Sequence, residues 1–299
     1  NAMRTAHRAL MLSAAAAALA CACRAADTLT YADLIARMTR PDLLAVLPPT
    51  GETSAQCSSY DRASKYDAAT GAYVNWDANG DGDGVIRREG DSVVMAEMEG
   101  PGCIFRTWSA LSGQGRVKIY LDGDPKPVAD LPFKEYFTGK TAPFDFPALS
   151  YHNEAQGSRG ENLYFPIPYR KSCKITAEKD WGAYYHFNYV TFPPGTSVPS
   201  FTGVLAPEDR AALAAVNGFM TERLDEDPAG PRQGEETVRL PIALAPGAGT
   251  SVAIDGPRAI TALKAVMRFE NREAEEAALR GLVLAIEFDD LAAPAVWCP

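Results

Sequence analysis

The sequence of 299 residues lacks an excess of basic residues. Its 29 lysines and arginines stand against 38 aspartates and glutamates, which gives a formal net charge of −9. A protein that binds nucleic acid presents a basic face to the phosphates, and an anionic membrane surface attracts the same residue types. The charge balance therefore argues against both kinds of partner and suits a neutral ligand such as a sugar.

The chain also lacks the common motifs for cofactors and metals. It has no glycine-rich phosphate loop among alternating strands and helices, and no G-x-S-x-G elbow of a serine hydrolase. Beyond the N-terminal segment its cysteines show no metal-binding spacing; they are Cys57, Cys103, Cys173 and Cys298. We expect no cofactor, and we interpret these cysteines as small buried hydrophobic residues, with a disulfide framework as the alternative.

No segment of the sequence is apolar over enough residues to span a bilayer. An apolar run over residues 10–20 follows a basic start and precedes a small-x-small cleavage site that ends at Ala22. This pattern predicts a secretory signal peptide, which with a short cloning remnant makes up residues 1–26, and hence a periplasmic or secreted protein. A lipid anchor on Cys21 or Cys23 is less favoured, because neither has a leucine three positions before it.

The remaining chain divides by pattern into four parts. Residues 27–55 predict a short helix and a linker, because apolar residues such as Leu34 recur at helical spacing. Residues 56–203 contain many short β-rich runs separated by Gly, Pro and Asp, which is typical of a jelly-roll β-sandwich. Residues 204–235 predict a helical connector with a polar linker. β-like runs resume over residues 236–299.

A weak internal repeat links the two β-rich parts. The first copy contains "MAEMEGPGCIFRTW" and then "VKIYLDGDPKPV", and the second contains "SVAIDGPRAITALK" and then "LVLAIEFDDLAAPAV". Both copies have an acid-Gly-Pro step, a β-rich run that ends in Asp, and a closing proline and valine. This pattern predicts an all-β protein of two tandem jelly rolls, the second of them incomplete at "AVWCP".

Five blocks in fixed order carry a resemblance to a known family. They are "SAQCSSYDR", "NWDANGDGDG", "EGPGCIFRTW", "IYLDGDPKPV" and "YFPIPYRKSCKI". Together they resemble the DUF2961 family, which is glycoside hydrolase family 172, over a match that runs from about Gln56 to Pro299. The resemblance implies tandem jelly rolls assembled as trimers or hexamers. It also implies cleavage or transfer of furanosides, such as α-D-fructofuranosides or D-arabinofuranosides, with retention of configuration by two glutamates.

The loop "NWDANGDGDGVIRREG" leaves three interpretations open. It places oxygen-bearing side chains at every second position: Asp77, Asn79, Asp81 and Asp83. A calcium loop of the EF-hand type needs a bidentate glutamate at its twelfth position, where this chain has Arg88. A polar turn explains the same residues, because glycine supplies positive φ and aspartate bonds to the nearby backbone. In the third interpretation, Trp76 and Asp77 offer a sugar a flat apolar face and a carboxylate.

Other candidate residues lie in the matching blocks. Asp61 and Arg62 form either a surface ion pair or part of a site in which Asp61 orients a sugar hydroxyl or supports Asp77. Alternation places Ile104, Arg106 and Trp108 on one strand face, where a buried Arg106 needs a partner. The substrate-binding candidates are Trp76, Asp77, Asp61, Arg62, Arg106, Glu161 and Asn162, whereas Trp108, Tyr164 and His186 are interpreted as packing or ordinary polar residues.

The catalytic residues are left unassigned by the sequence. The resemblance places the family's glutamates beyond Pro299, and the candidates Glu97, Glu99, Glu270 and Glu287 have no motif to support them. A retaining glycosidase needs two carboxyl groups about 5–5.5 Å apart, a distance that no sequence provides. Two rival hypotheses are therefore kept: a non-catalytic carbohydrate-binding or assembly module, because jelly rolls host lectins as readily as enzymes, and a calcium-stabilised structural protein.

Overall fold

A computed structural model describes residues 28–298 apart from 154–158, 224–225, 227–229 and 246. The predicted signal peptide and its two cysteines lie outside the described residues. The chain forms two compact units, Asn1–Pro241 and Ile242–Pro299. In the described part of the chain, no helix combines the length and the apolar character that crossing a membrane requires.

The first unit is a β-sandwich of two five-stranded antiparallel sheets. The front sheet has the order β1 (Thr53–Ser58), β12 (Gly182–Thr191), β6 (Gly102–Ser112), β10 (Glu161–Tyr169) and β9 (Ser150–His152). The back sheet has the order β4 (Arg87–Glu89), β5 (Ser92–Glu99), β11 (Ser172–Ala177), β7 (Arg116–Leu121) and β8 (Ala129–Pro132). A separate hairpin joins β2 (Lys65–Asp67) to β3 (Ala72–Val74). The predicted β-sandwich is confirmed.

The core forms between the sheets because each strand alternates apolar and polar residues. In β7 the buried residues are Val117, Ile119 and Leu121, and their neighbours in sequence are less buried. Aromatic side chains fill the centre, including the fully buried Tyr136, whose hydroxyl donates to the carbonyl of Val117 at 2.8 Å. Burying a large apolar side chain contributes about 1.5–3 kcal/mol, so this layer is the main source of stability.

Two helices pack on the sandwich where the sequence predicts them. Helix α1 (Tyr31–Ala36) begins with a capping box between Thr30 and Asp33. The hydroxyl of Tyr31 donates to the carbonyl of Pro166 at 2.8 Å, which ties the helix to β10. Helix α2 (Pro207–Glu222) begins with a proline at its first position, where the missing N–H costs nothing.

A β-bulge at Phe105 corrects the predicted orientation of residues on β6. Both neighbouring strands skip Phe105, because their register shifts between Ile104 and Arg106. Ile104 therefore belongs to the main core between the sheets, while Phe105 packs with the residues under α1. The expectation that Ile104 shares a face with Arg106 and Trp108 is wrong, because an extra residue in one strand inverts the alternation beyond it.

The described residues of the second unit contain one helix and two short strands. Helix α3 (Arg272–Gly281) is capped by the side chain of Asn271. Among the described residues of this unit, the β-structure is one hairpin of β13 (Leu284–Ile286) and β14 (Val296–Cys298). The partial second jelly roll over residues 236–299 therefore stays a prediction.

The cysteines are free thiols within the described residues. Cys103 and Cys173 are buried, and burial raises the pKa of both thiols. Cys57 is half-buried at the edge of the core. The expectation of a buried hydrophobic residue is wrong for Cys298, which is exposed because its strand pairs with a single neighbour.

Candidate functional site

One half of the outer surface of the front sheet is polar and aromatic, and we call it the open face. The other half of that surface is covered by α1 and the small cluster around Leu34. Across the open face, Arg106 on β6 stands opposite Tyr164 on β10 and Asn188 on β12. Trp108 stands opposite Asn162 and His186 in the next row, and Gln56 and Tyr151 extend the rows onto β1 and β9. Side chains paired in this way lie close enough to interact.

Arg106 lies at the centre of the open face. Its Nη2 donates to Oδ1 of Asn162 at 3.0 Å, and its Nη1 donates to Oδ1 of Asn188 at 3.3 Å. Its guanidinium carbon lies 5.7 Å from the centroid of the Tyr164 ring. Its Nε is buried and has no acceptor among the described residues. The guanidinium is therefore held by neutral groups, and no described carboxylate forms a salt bridge with it.

Two pairs of aromatic rings flank this arginine. The Trp108 and His186 ring centroids are 4.6 Å apart on one side. On the other side, the Tyr151 and Tyr164 rings stack with centroids 6.4 Å apart. Flat rings beside hydrogen-bonding groups are the chemistry by which proteins hold the apolar and polar surfaces of a ligand together.

The amides of the open face have fixed orientations. Asn188 accepts from Arg106 through its oxygen, and its nitrogen donates to Oε1 of Gln56 at 2.8 Å. Asn162 likewise turns its oxygen towards Arg106, which leaves its NH2 group as a donor. The face thus presents donors and acceptors in a defined order across three strands.

The electrostatics of the face follow from burial and from the arginine. Burial, followed by the charge of Arg106, lowers the pKa of His186. Burial, followed by the neighbouring Tyr164, raises the pKa of Tyr151. At neutral pH the face therefore carries one positive charge, on Arg106, surrounded by neutral rings and amides.

A loop containing the predicted aspartates is attached beside this face. The carboxylate of Asp61 accepts from the N–H of Gly80 at 2.8 Å and from that of Ala63 at 2.9 Å. The backbone N–H of Asp61 donates in turn to Oδ1 of Asp81 at 2.6 Å. The N–H groups of Ala63 and Gly80 lower the pKa of the Asp61 carboxyl. Asp61 thus closes a local turn through Ala63, whereas Asp81 bonds to backbone 20 positions away and not to its own turn.

The same loop contacts the strand that carries His186. The N–H of Tyr184 donates to the carbonyl of Gly82 at 3.0 Å. Gly82 has a φ of +116°, and a Cβ at this position would lie 3.0 Å from the Tyr184 ring. Glycine is therefore required here both by backbone conformation and by close packing. Through Tyr184 the loop is fixed two residues from His186.

A family model now identifies the fold. The model of the glycoside hydrolase family 172 (GH172) first β-sandwich domain matches residues 50–209, which is more than half of the chain. The chain belongs to the GH172 family. Among curated proteins, none matches the chain significantly. The GH172 match contains every strand of the front and back sheets and thus the whole open face.

The GH172 domain brings together only some of the predicted substrate residues. Arg106 and Asn162 meet on the open face. Asp61 and Arg62 form no ion pair with each other, since Asp61 binds backbone N–H groups whereas Arg62 donates to the carbonyl of Ser58 at 2.8 Å. Trp76 is 79% exposed on the loop, and Asp77 beside it is also exposed.

A cavity of about 340 Å³ beside α1 and the start of α2 does not include any predicted site residue. Its lining is mainly apolar and includes Tyr31, Phe201, Leu205 and Asp209. Trp76 and Asp77 do not line this cavity and lie on an exposed loop. Their role in binding a sugar stays a prediction.

Glu161 lies on the opposite side of β10 from Asn162, because adjacent residues of a strand alternate. It is 4% exposed, its carboxylate accepts from the N–H of Ser112 at 2.9 Å, and Nδ1 of His152 lies 3.0 Å from it. The structure thus places Glu161 at the end of the core and away from the open face.

The other carboxylates named from the sequence lie away from the open face or in the second unit, and Glu97 and Glu99 are exposed residues of β5. Glu97 is bound by Arg87 through two contacts of 2.6 Å, and this pairing lowers the pKa of its carboxyl. Glu270 and Glu287 are exposed in the second unit. Within the described ranges, no three acidic, histidine or cysteine side chains converge as a metal site would require, and this holds for Asp77, Asp81 and Asp83.

Several residues of the open face were missed at the sequence level. From the sequence alone, Trp108, Tyr164 and His186 are expected to be packing or ordinary polar residues, and Asn188 is not among the expected site residues. A usable signal was the run "YHFNY" on β12, in which His186 and Asn188 share one side while Phe187 enters the core. Polar residues that alternate with core residues on a central strand indicate a solvated functional face.

Proposed function

We propose that this GH172 protein is an exported glycosidase or transglycosylase that acts on furanosides and binds them on the open face. The observation that carries the proposal is the arrangement of Arg106 and Asn162 between the Trp108–His186 and Tyr151–Tyr164 ring pairs. Family membership supplies the glycoside hydrolase class. The choice of α-D-fructofuranosides or D-arabinofuranosides comes from the family resemblance.

Each group on the face has a defined task in this proposal. The rings of Trp108 and Tyr164 cover the apolar C–H surface of the sugar and exclude water from it. The NH2 groups of Asn162 and of Gln56 donate to sugar hydroxyls, because their oxygens are already used. Trp76 and Asp77 contact the sugar from the neighbouring loop.

The chemistry needs carboxylates that the open face does not supply. Its described side chains include arginine, amides and rings but no Asp or Glu. Retention of configuration requires a nucleophile and an acid/base about 5–5.5 Å apart. We therefore assign substrate positioning to the face, and we leave the two catalytic carboxylates to other parts of the protein or of its assembly.

The same observation favours a second candidate function. A face with rings and amides but no described carboxylate has the composition of a carbohydrate-binding module. In that case the protein binds furanosides without hydrolysing them. Turnover with retention separates the two functions, because a binding module gives affinity but no product.

We also propose that the protein is periplasmic or secreted and that it forms a homo-oligomer, a trimer or hexamer. The N-terminal sequence pattern supports export. Apolar side chains of the second unit are exposed, for example Val266 at 77% and Trp297 at 64%. Exposed apolar surface of this kind usually becomes covered by a protein contact, which a measurement of mass in solution tests.

The central experiment is a hydrolysis assay on 4-nitrophenyl α-D-arabinofuranoside and α-D-fructofuranoside, with the matching pyranosides as controls. Proton NMR of the first-formed product reports its anomeric configuration. In the protein that carries both catalytic carboxylates, we expect turnover of furanosides with retention, and a loss of at least about tenfold in kcat/KM for Trp108→Ala, the effect of about 1.4 kcal/mol. Tyr66→Ala, which removes an exposed ring from the β2–β3 hairpin, is the matched control. Hydrolysis of pyranosides at the same rate contradicts the proposal.

A further inference from the structure

We propose that Arg106 is a specificity-determining residue that binds an acidic substituent of the sugar: a carboxylate, phosphate or sulfate. The inference rests on the proposed function in one respect, that the ligand of the open face is a sugar. It goes beyond that function by naming the charge of the ligand and the group that recognises it.

The first argument is the missing counter-ion. The residues that face Arg106 across the strands are Tyr164 and Asn188, and its second hydrogen-bond acceptor is Asn162. None of them carries a negative charge. The acid nearest in the sequence of β10 is Glu161, which points to the other side of the sheet and accepts from the N–H of Ser112. The charge is thus uncompensated by any described side chain.

Other arginines of the first unit differ from Arg106 in their partners. Several pair with a carboxylate: Arg37 with Glu52, Arg87 with Glu97, Arg116 with Asp130, and Arg210 with Asp145. Arg106 is half-buried on a central strand, where a counter-ion is worth more than at the surface. A cation kept in this position without an acid is suited to a negative group that arrives with the ligand.

The second argument is donor capacity. A guanidinium has five N–H donors. Arg106 uses one on Asn162 and one on Asn188, and its Nε has no acceptor among the described residues. A polar group buried without a partner is costly, and carboxylate or phosphate oxygens are the acceptors that arginine binds most strongly. An acidic substituent therefore satisfies the charge and the N–H group that remains on each of Nη1 and Nη2, whereas the buried Nε lies out of its reach.

The third argument concerns the size of the ligand's charge. The whole chain has a net charge of −9, which repels polyanions such as nucleic acid. Charges separated by more than about 8–10 Å are largely screened at physiological salt, so this repulsion acts weakly on one small anion in direct contact with Arg106. The face thus fits a sugar with a single acidic group, held between the aromatic rings.

His186 provides an independent report of the charge on Arg106. Burial lowers the pKa of His186 first, and the charge of Arg106 lowers it further. Its register partners are Trp108 on β6 and Ser58 on β1, neither of which titrates, and Arg106 lies two positions from Trp108 on the same face. When an anion binds Arg106, the positive field weakens and the pKa of His186 rises. A purely structural arginine produces no such ligand-dependent change.

The test compares three ligands on one scaffold: methyl α-D-arabinofuranoside, its 5-phosphate, and the uronate made by oxidising its C5 carbon. Inorganic phosphate is the fourth probe. Calorimetry on the full chain measures each affinity, and NMR measures the pKa of His186 with and without each ligand. We expect one of the two acidic sugars to bind at least about tenfold more tightly than the neutral one, and we expect it alone to raise the pKa of His186.

Variants assign that preference to the arginine. Arg106→Gln should bind the neutral and acidic sugars with equal affinity, and Arg106→Lys should keep part of the preference because it keeps the charge. Arg88→Gln, on an exposed position of β4, should leave the preference unchanged. Melting temperatures confirm that each variant is folded, and the lysine variant keeps the test valid if the glutamine variant unfolds.

Three outcomes overturn the inference. Equal affinity for neutral and acidic sugars in the wild type removes the charge preference. A preference that persists in Arg106→Gln assigns it to another group. Inorganic phosphate that binds as tightly as the sugar phosphate shows an anion site without sugar recognition. If the neutral and acidic sugars bind equally and the neutral furanoside is turned over, the proposed function stands without the charge preference. If none of the three furanosides binds, the furanoside assignment itself is contradicted.

Discussion

Arg106 and Asn162 lie on neighbouring strands of the front sheet, and Nη2 of the arginine donates to Oδ1 of the asparagine at 3.0 Å. This bond fixes the amide so that its NH2 group is directed away from the guanidinium. It also holds the arginine at the centre of the open face, beside the Tyr164 ring.

Replacing Asn162 tests the energetic importance of this contact. Asn162→Ala removes the acceptor and should lower the free energy of unfolding by about 1.5–3 kcal/mol, the usual contribution of a hydrogen bond to a charged group. Asn162→Asp keeps an acceptor oxygen and should retain the stability of the wild type. Urea denaturation of both variants measures the difference. Equal losses in the two variants would mean that the amide matters for its shape and not for its hydrogen bond.

His186 predicts a specific pH dependence of stability. Its folded pKa is lowered, so the folded state disfavours the protonated ring. The corresponding stability is fully present above the unfolded pKa of about 6.5 and is lost as the pH falls through the lower folded value. Denaturation midpoints measured from pH 7 down to pH 5 should therefore fall more steeply in the wild type than in His186→Asn. If the midpoints of the wild type and of His186→Asn fall in parallel with pH, His186 is not the cause of the pH dependence.

Asp61 predicts how the loop is held. Asp61→Ala removes the acceptor of the Gly80 and Ala63 N–H groups, so the Gly80 amide should exchange hydrogen faster. The folded pKa of Asp61 is lowered, so this contribution is present above an unfolded pKa of about 3.9 and is lost as the pH falls below it. Asp67→Ala, which disturbs the β2–β3 hairpin instead, is the control. Unchanged exchange at Gly80 in Asp61→Ala would show that other contacts hold the loop.

Calcium removal should leave the protein equally stable. A calcium site filled at 100 times its Kd would add about 2.7 kcal/mol, which raises Tm by roughly 5–10 °C in a domain of this size. The aspartates of the loop do not converge, and Asp81 already accepts from the N–H of Asp61. Thermal unfolding with calcium and with a strong chelator checks this expectation, and a shift in the stated range would restore the calcium interpretation.

Local pattern was sufficient to predict much of the fold. Alternating runs such as "RVKIYL" become buried strands because side-chain direction alternates along a strand. Helix α2 follows from Pro207 and the acidic residues after it. In β10 the register shift between Tyr164 and Ile167 lies where Pro166, which has no N–H, interrupts the hydrogen-bonding pattern.

The candidate site was less predictable because it depends on pairing between distant strands. The bulge at Phe105 appears only when β6 is aligned with both β10 and β12. The distance from Arg106 to Asn188 is set by a pairing of residues 82 positions apart. The Asp61 carboxylate likewise accepts from the N–H of Gly80, which is 19 positions away, and no local pattern predicts this contact.

The location of a furanoside in a crystal of the full chain tests the central claim most directly. Crystals grown with methyl α-D-arabinofuranoside should show the sugar on the open face, stacked on Trp108 or Tyr164 and hydrogen-bonded to Asn162 or Arg106. A sugar bound elsewhere at full occupancy, with the open face empty and uncovered by a neighbouring molecule, would contradict the account.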